Sequence, residues 1–531
     1  DIPLPREPGK VDAKGVWRVV AALKGEDGSA ATFEDRFAVL DEHPVTPKVP
    51  YGKFRAGIHC HSARWLDEGR DLTHDAAVRI LGNDEFKDQY DNTASIKVRG
   101  NSTAGLPKKP YKLKLEKKTD LLSLGGKNKH WVLLANYFDE SQLRNKTAYD
   151  MSGKFGLTYQ DSTWVVVVFN GRYDGVYQLG EHIRVDATRV NVHDWEGDAD
   201  VVDETDLSTI DAATRDITGG YLWELSDEYD EVSKFMTPRG LKVMFNKPEY
   251  AYTNPKMFSW CSNFWAEVES SWTSPLNATA SGANWRDLCD IDSMVSYWLV
   301  NEIFGNDDAW YKSRYCHKDI GGKLTFGPVW DFDWGCGSVQ VGMDNVTNWR
   351  LAKNNNSQYF VSFYKEWLDD PWFCLKAYEK YWKMRAAFAE LVSENGTLAQ
   401  NLAYLAEAGA ADDARWNEQR TASFGARKRG FAGDVAKYRE WMTTRLAWLD
   451  TQFASPETLM AAVSNESSAT PYANRPDKLA LSVKGRVDRK GVVHVMPRGD
   501  LTLKVSVKSS TNRAHVLVNG RCLGRYTVTK Y

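Results

Sequence analysis

The pattern of apolar and polar positions changes period along the chain. In the first 45 residues it alternates. Val16-Trp-Arg-Val-Val-Ala-Ala-Leu23 and Thr32-Phe-Glu-Asp-Arg-Phe-Ala-Val-Leu40 flank the turn-rich Lys24-Gly-Glu-Asp-Gly-Ser29, which predicts a β-hairpin. Pro44, Pro47 and Pro50 mark a linker. Ser95-Ile-Lys-Val-Arg-Gly-Asn-Ser-Thr103 reads as a strand running into a polar, Gly-containing turn. In Lys108-Lys-Pro-Tyr-Lys-Leu-Lys-Leu-Glu116, period two puts Leu113 and Leu115 on one face and Lys112 and Lys114 on the other. Trp131-Val-Leu-Leu-Ala-Asn136 is apolar. Asp139 then opens a helix, with Leu143, Thr147, Ala148 and Met151 at helical spacing and Gly153 or Gly156 as its stop. The clearest hairpin runs from Thr163 to Gly180 about Asn170-Gly171, and its β-branched first arm reads as a buried strand. Gly219–Leu225 and Leu241–Phe245 are further strands.

Beyond Asn254 the period becomes helical. Met257 to Trp272 is rich in aromatic residues, and the stripe from Ile291 to Phe304 stops at Gly305. Asn306-Asp-Asp-Ala309 is polar, and short strands follow. Residues 357–394 and 398–452 read as long amphipathic helices. Ser464 to Pro476 is a polar linker, and Leu479 to Tyr531 reads as a small β domain. The class is α+β.

Composition narrows the function. A chain of 531 residues buries a large core and holds two or three domains. Its net charge of -3 demands neither nucleic acid nor an anionic membrane as partner. No apolar run approaches the length of a membrane-spanning helix. Starting at Asp1, the chain reads as a processed or trimmed form without its targeting signal. The 7 cysteines include no Cys-x-x-Cys pair, which argues against a zinc ribbon or a thioredoxin-type site. Cys316 and Cys336 are candidates for a disulfide or for two buried thiols.

Candidate chemistry centres on Gly322-Lys-Leu-Thr-Phe-Gly-Pro-Val-Trp-Asp-Phe-Asp-Trp-Gly-Cys-Gly337. If its strand persists, Asp331 and Asp333 share one side and Phe332 anchors the other. Paired carboxylates there suit a hard cation such as Mg²⁺, and equally describe a solvated corner. Lys112 and Lys114, beside a loop with free amides and Arg99, form a plausible phosphate cradle. His59 and His61 share a strand face, as a metal pair lacking a third ligand or as ordinary half-buried histidines. The acidic stretch from Asp194 to Asp206 lacks the Gly and terminal Glu of an EF-hand and reads as a solvated connector.

Eight ordered motifs resemble the spore coat protein H (CotH) kinase family. They are Ile96-Lys-Val-Arg-Gly-Asn-Ser-Thr103, Lys108–Leu115, Trp131–Tyr137, Leu143-Arg-Asn-Lys146, Asn170–Tyr177, Gly219–Leu222, Leu299-Val-Asn-Glu302 and Gly327-Pro-Val-Trp-Asp-Phe-Asp333. The resemblance implies an atypical bilobal protein-kinase-like fold. Its small lobe spans 51–190 and its large lobe 191–455, with accessory β segments at 1–45 and 476–531. It implies ATP and Mg²⁺ (or Mn²⁺) as cofactors, Ser/Thr of proteins as acceptors, and a secreted or cell-surface location. By motif position Asp308 is the catalytic-loop aspartate, with Asp307 a neighbour that blurs the assignment, and Asp331 is the metal aspartate with Asp333 as helper. Lys114 is the strand lysine, with Lys112 as the alternative. Arg99, Asn101 and Ser102 line the phosphates, and Glu181 to Ile183 hold adenine through backbone groups. No glutamate occupies the helix position that usually pairs with the strand lysine; Arg144 and Asn145 stand there, and Glu140 lies near the helix start. Ser313 stands five residues after Asp308, in place of the asparagine that usually holds a second Mg²⁺. Two other readings share these residues: a kinase-like scaffold that is a non-catalytic adhesin or carbohydrate binder, and a nucleotide-using enzyme that transfers AMP or modifies a small molecule. The sequence leaves oligomeric state open.

Overall fold

A computed structural model describes residues 57–62, 72–82, 87–170, 172–273, 284–338, 342–352, 361–420 and 428–465, together with the backbone of strands within 15–39 and 479–527. The proline linker after the first hairpin, Gly171, the polar linker from residue 466 to Pro476, and the side chains of His61 and Cys522 lie outside the described residues, whereas Ser464, expected to start that linker, still belongs to the helix Pro456–Asn465. Strands β1 (Gly15–Lys24) and β2 (Ala30–Val39) pair antiparallel as the alternation predicts.

Seven strands then close into a barrel: β3 (Gly57–Ser62), β4 (His74–Gly82), β5 (Lys87–Val98), β6 (Tyr111–Thr119), β7 (Asn128–Leu134), β8 (Ser162–Phe169) and β9 (Arg172–Glu181). Their order is β3-β4-β5-β6-β7-β9-β8, sealed by the parallel pairing of β3 with β8. Closure removes the exposed edges that an open sheet would leave. Inward residues such as Ile58, Val78, Ile96, Leu113, Trp131 and Tyr177 fill the interior. The valine run of β8 is apolar at every position because it is covered twice. Val165 and Val167 pack inside the barrel, whereas Trp164 and Val166 belong to the larger, helix-rich core outside it. β7 divides likewise, with Trp131 and Leu133 facing in and Val132 and Leu134 facing out.

Helix α1 (Arg144–Lys154) lies between β7 and β8 in sequence, and Gly156 ends its turn at φ +86°. The helix opens after Leu143, not at Asp139, whose carboxylate instead reaches forward to accept from the Arg144 amide at 2.8 Å. Strands β10 (Tyr221–Leu225), β11 (Lys234–Met236), β12 (Lys242–Lys247), β13 (Arg314–Lys318) and β14 (Thr325–Phe326) form a second sheet in the order β11-β12-β10-β13-β14. The helices beyond are α2 (Pro255–Thr273), α3 (Trp285–Leu288), α4 (Ile291–Ile303), α5 (Tyr364–Leu368), α6 (Pro371–Val392), α7 (Thr397–Trp416), α8 (Gly430–Gln452) and α9 (Pro456–Asn465). The architecture is α+β, with a β-rich N-terminal part and a helical C-terminal part. The two long predicted helices are each divided. Asp370 caps a fresh start at Pro371 by accepting from the Trp372 amide, and α7 and α8 are separate elements.

Several expectations are corrected. The strand carrying Asp331 does not persist: β14 ends at Phe326, and Asp331 sits in the left-handed region at φ +66°. Cys316 and Cys336 are buried free thiols, and the Cys336 thiol donates to the Phe304 carbonyl at 3.2 Å. The acidic connector is largely solvated, as expected, but is anchored at one point, with Trp195 buried and its indole donating to the Gly219 carbonyl at 2.9 Å. His59 is buried in the barrel wall. Among the described residues no three His, Cys, Asp or Glu side chains are grouped as a metal cage, and no helix is long and apolar enough to cross a membrane.

Two buried cations join the barrel to the helices. Lys108 donates to Asp412 of α7 at 2.7 Å and to the Val176 carbonyl of β9 at 2.6 Å. Gly175 makes this approach feasible: it has φ +120°, and a Cβ there would lie 2.3 Å from the Asp412 carboxylate. Arg144, fully buried, binds Asp139 and Asp434 and donates to the carbonyls of Gly335 (3.0 Å) and Cys336 (3.3 Å). Removing one partner of a buried, hydrogen-bonded ion pair costs about 3–5 kcal/mol. Arg144→Ala is therefore expected to lower the urea midpoint by that equivalent. Gly175→Ala is expected to lower it as well, whereas Gly105→Ala, where a Cβ meets nothing within 4 Å, shifts it little.

Candidate active site

A cleft of ≈ 530 Å³ opens between the barrel and the second sheet. Its barrel wall is cationic, formed by Lys97, Arg99, the Gly100–Thr103 turn and Lys112. Gly100 takes φ +86° to start this turn, because a Cβ there would lie 2.2 Å from the Thr103 hydroxyl. Arg99 reaches across, with its guanidinium 5.4 Å from the centre of the Trp330 ring. Lys112 is the strand lysine that lines the cleft, and Lys114 is exposed beyond it. The two share a face, but one two-residue step moves about 6.6 Å along a strand. Burial, and then repulsion from Lys97, Arg184 and Arg99, pull the Lys112 ammonium down to about 8.

The opposite wall is anionic. Asp308, Asp331 and Asp333 line it, joined by Glu224 of β10 and by Glu228, Asp230 and Glu231 of the loop that follows. Asp308 sits in a 3₁₀ turn (Asp308–Trp310) just after α4, held by Gly305 at φ +64°. Tyr311 donates to its carboxylate at 3.3 Å, and Lys312 is ion-paired with it at 3.3 Å. Its neighbour Asp307 instead pairs with Arg350 at 3.0 Å and does not line the cleft, so of the two adjacent carboxylates Asp308 is the one that faces it. Ser313 donates to Asp331 at 3.1 Å.

Two side chains of α1, Arg144 and Asn145, hold the main chain of the Asp331 segment. Asn145 accepts from the Phe332 amide at 2.8 Å and donates to Asn136 at 3.2 Å. Phe332 is buried edge-on to Tyr149 and Phe304, and Tyr149 stacks on Trp330 at 5.5 Å. With Arg144 on the carbonyls of Gly335 and Cys336, adjacent residues of one helical turn hold both ends of the carboxylate-bearing loop. Arg144 and Asn145, which stand where a glutamate was sought, thus act on this loop and not on the strand lysine.

The carboxylates crowd one another. Burial first, and then Asp331, raise Asp308 from 3.8 to about 7, with Lys312 and Tyr311 opposing. Asp333 is pushed well above the usual carboxylate range by burial, then by Asp331 and Asp308. Such crowding is what a divalent cation relieves, and the oxygen-only donor set suits Mg²⁺. The residues expected to hold adenine divide. His182 lines the cleft, Ile183 belongs to the outer core, and Glu181 is buried, bound to Arg189 at 3.1 Å and to the Asp161 amide at 3.0 Å. Asn101 and Ser102 line the cleft beside Arg99. Sequence reading did not single out Lys312, Tyr149 or the Glu224–Glu231 group. For Lys312 a signal existed, since it is the cation one helical turn after Asp308.

No curated protein shows significant similarity to the chain. A family match covers residues 96–449, from the end of β5, which leads into the Gly100–Thr103 turn, to the last turn of α8, and its description is CotH kinase protein. It spans every cleft residue named above, and with most of its length matched the chain belongs to the CotH kinase family.

Proposed function

We propose that this chain is an atypical protein kinase of bilobal, kinase-like fold that uses ATP and Mg²⁺, with Mn²⁺ as an alternative ion, to phosphorylate Ser or Thr of secreted or cell-surface proteins. One observation carries the reading: a single cleft sets a wall of cations against a wall of crowded carboxylates. A nucleotide triphosphate with its metal matches both walls, with phosphates toward Lys97, Arg99, Lys112 and the amides of the Gly100–Thr103 turn, and metal toward Asp331 and Asp333. Mg²⁺ keeps waters and phosphate oxygens among its ligands, so an incomplete protein cage suits it. When bound it would neutralise charge on the β and γ phosphates.

Asp308 is the proton acceptor of this reading. As the acceptor hydroxyl oxygen bonds to the γ phosphorus, the bond from that phosphorus to the bridging oxygen breaks and ADP leaves. The hydroxyl proton passes to Asp308, whose raised affinity for it suits a base working near neutrality. Lys312 beside Asp308 and Lys112 opposite supply positive charge where phosphoryl charge spreads.

γ-Labelled ATP with Mg²⁺ and Ser-rich acceptors tests this. Label should reach the acceptor, and Mg·ATP should raise the melting temperature; if neither occurs, the scaffold reading takes over, and label from the α phosphate instead points to nucleotide transfer. Asp308→Asn and Asp331→Asn should each slow transfer by about 100-fold or more. Lys112→Met should slow it comparably, whereas Lys114→Met should stay within about twofold, as a solvated lysine does.

The carboxylate crowding also predicts a pH effect on the metal-free protein. Asp308 holds its proton more tightly folded (about 7) than at its ordinary value (3.8), so its contribution to stability is full below pH 3.8 and is lost as pH rises through 7. Asp308→Asn should therefore gain a few degrees of melting temperature over the parent at pH 8 and nothing at pH 4. Scanning both proteins in chelator across that range checks it; parallel curves would exclude the buried, crowded carboxylate.

A further inference from the structure

Asp307 is a carboxylate beside the proton acceptor that takes no part in the cleft. Its partner, Arg350, is 2% exposed and comes from the segment that follows the metal-side loop. Arg350 gives one arm to Asp307 at 3.0 Å and another to the carbonyls of Gly342 (3.2 Å) and Asn345 (2.9 Å). The main chain there is gripped as well. Glu302, at the end of α4, accepts from the amides of Arg350 (2.7 Å) and Leu351 (2.8 Å), and is itself paired with Arg445 of α8 at 2.8 Å. Arg445 in turn donates to the carbonyls of Val346 (2.8 Å) and Asn348 (2.6 Å). The stretch 342–352 is thus bolted to the helical core by side chains the chain carries itself.

In phosphorylation-switched kinases the segment after the metal aspartate is ordered when an added phosphate gains arginine partners. Here the same join, between the catalytic turn and the downstream segment, is made with the opposite polarity: the carboxylate is on the turn and the arginine on the segment. The two terminal nitrogens of Arg350 are already held by one carboxylate and by main-chain carbonyls, leaving only Nε without a partner, so its charge is balanced without any added anion.

We propose that Asp307 and Arg350 form a built-in latch that positions the Asp308 turn, so that the enzyme turns over without prior phosphorylation. This rests on the phosphotransfer reading above. Both are positioning residues, acting through Asp308.

The test uses the full chain, treated with phosphatase, freed of it and shown phosphate-free by intact mass. Its transfer of label from γ-labelled ATP to a Ser-rich acceptor should be linear from the first turnovers. Asp307→Asn should lower kcat by about tenfold or more while KM for Mg·ATP stays within about twofold, because the acceptor turn is displaced and the nucleotide cradle is not. Arg350→Lys should recover part of the rate lost in Arg350→Gln, and Asp307→Asn with Arg350→Gln should be no slower than the slower single variant. A role in stability alone would lower melting temperature and leave kcat unchanged. Wild-type kcat in Asp307→Asn, or a lag abolished by prior phosphorylation, overturns the latch alone. A parent chain as inert as Asp308→Asn overturns the phosphotransfer reading and the latch with it.

Discussion

The carboxylate side of the cleft hangs on the first turn of α1. Arg144 enters the protein interior between Asp139 and Asp434 and spends its remaining donors on the carbonyls of Gly335 and Cys336. A guanidinium can be buried only if its donors are met and its charge is balanced, and both conditions are satisfied here by the nearby Asp139 together with groups from two distant parts of the chain. The neighbouring Asn145 then reaches the Phe332 amide. One ion-paired arginine therefore sets helix α1, the loop bearing Asp331 and Asp333, and helix α8 in a fixed relation. A loop with a non-glycine residue at positive φ is held only by such surroundings.

That rigidity is what lets the cleft hold like charges together. Asp308, Asp331 and Asp333 would separate in a flexible loop, as water would screen them better apart. Held in place and buried, Asp308 and Asp333 bind their protons more tightly, with Asp331 adding to the effect of burial, and the protein answers with few cations of its own on that side, chiefly Lys312. The cationic excess lies across the gap on the barrel, where Lys112 is pulled down by burial and then by its cationic neighbours. Each wall is electrostatically frustrated alone, and in the proposed reading each faces one end of a metal-bound polyphosphate.

Much of the fold is written locally. The hairpin about Asn170, the strand carrying Lys112, the stop at Gly156 and the stripe ending at Gly305 follow from period and turn chemistry. The strand supposed to deliver Asp331 and Asp333 does not form, because the preference of two flanking residues for one face assumes a ladder that β14 never extends. The division of the two long apolar stretches into shorter helices was legible at Asp370-Pro371, a cap followed by a first-turn proline. Of the candidate site, Arg99, Asn101, Ser102, Lys112, Asp308, Asp331 and Asp333 meet in one cleft, whereas Lys114, Glu181 and Ile183 lie outside it.

The sequence by itself determined the residue types, their order and which faces of each element are apolar, since period two and period 3.6 are properties of the local backbone. It also carried the family, because short motifs record side chains that must recur at fixed spacing. Only the tertiary structure decided between equivalent neighbours. Lys112 and Lys114 point the same way, and Asp307 and Asp308 differ by one step. Which of each pair meets the cleft depends on where the barrel rim ends and on Arg350 arriving from a segment some forty positions away. Charges far apart in the chain select these partners, and no local pattern encodes that selection.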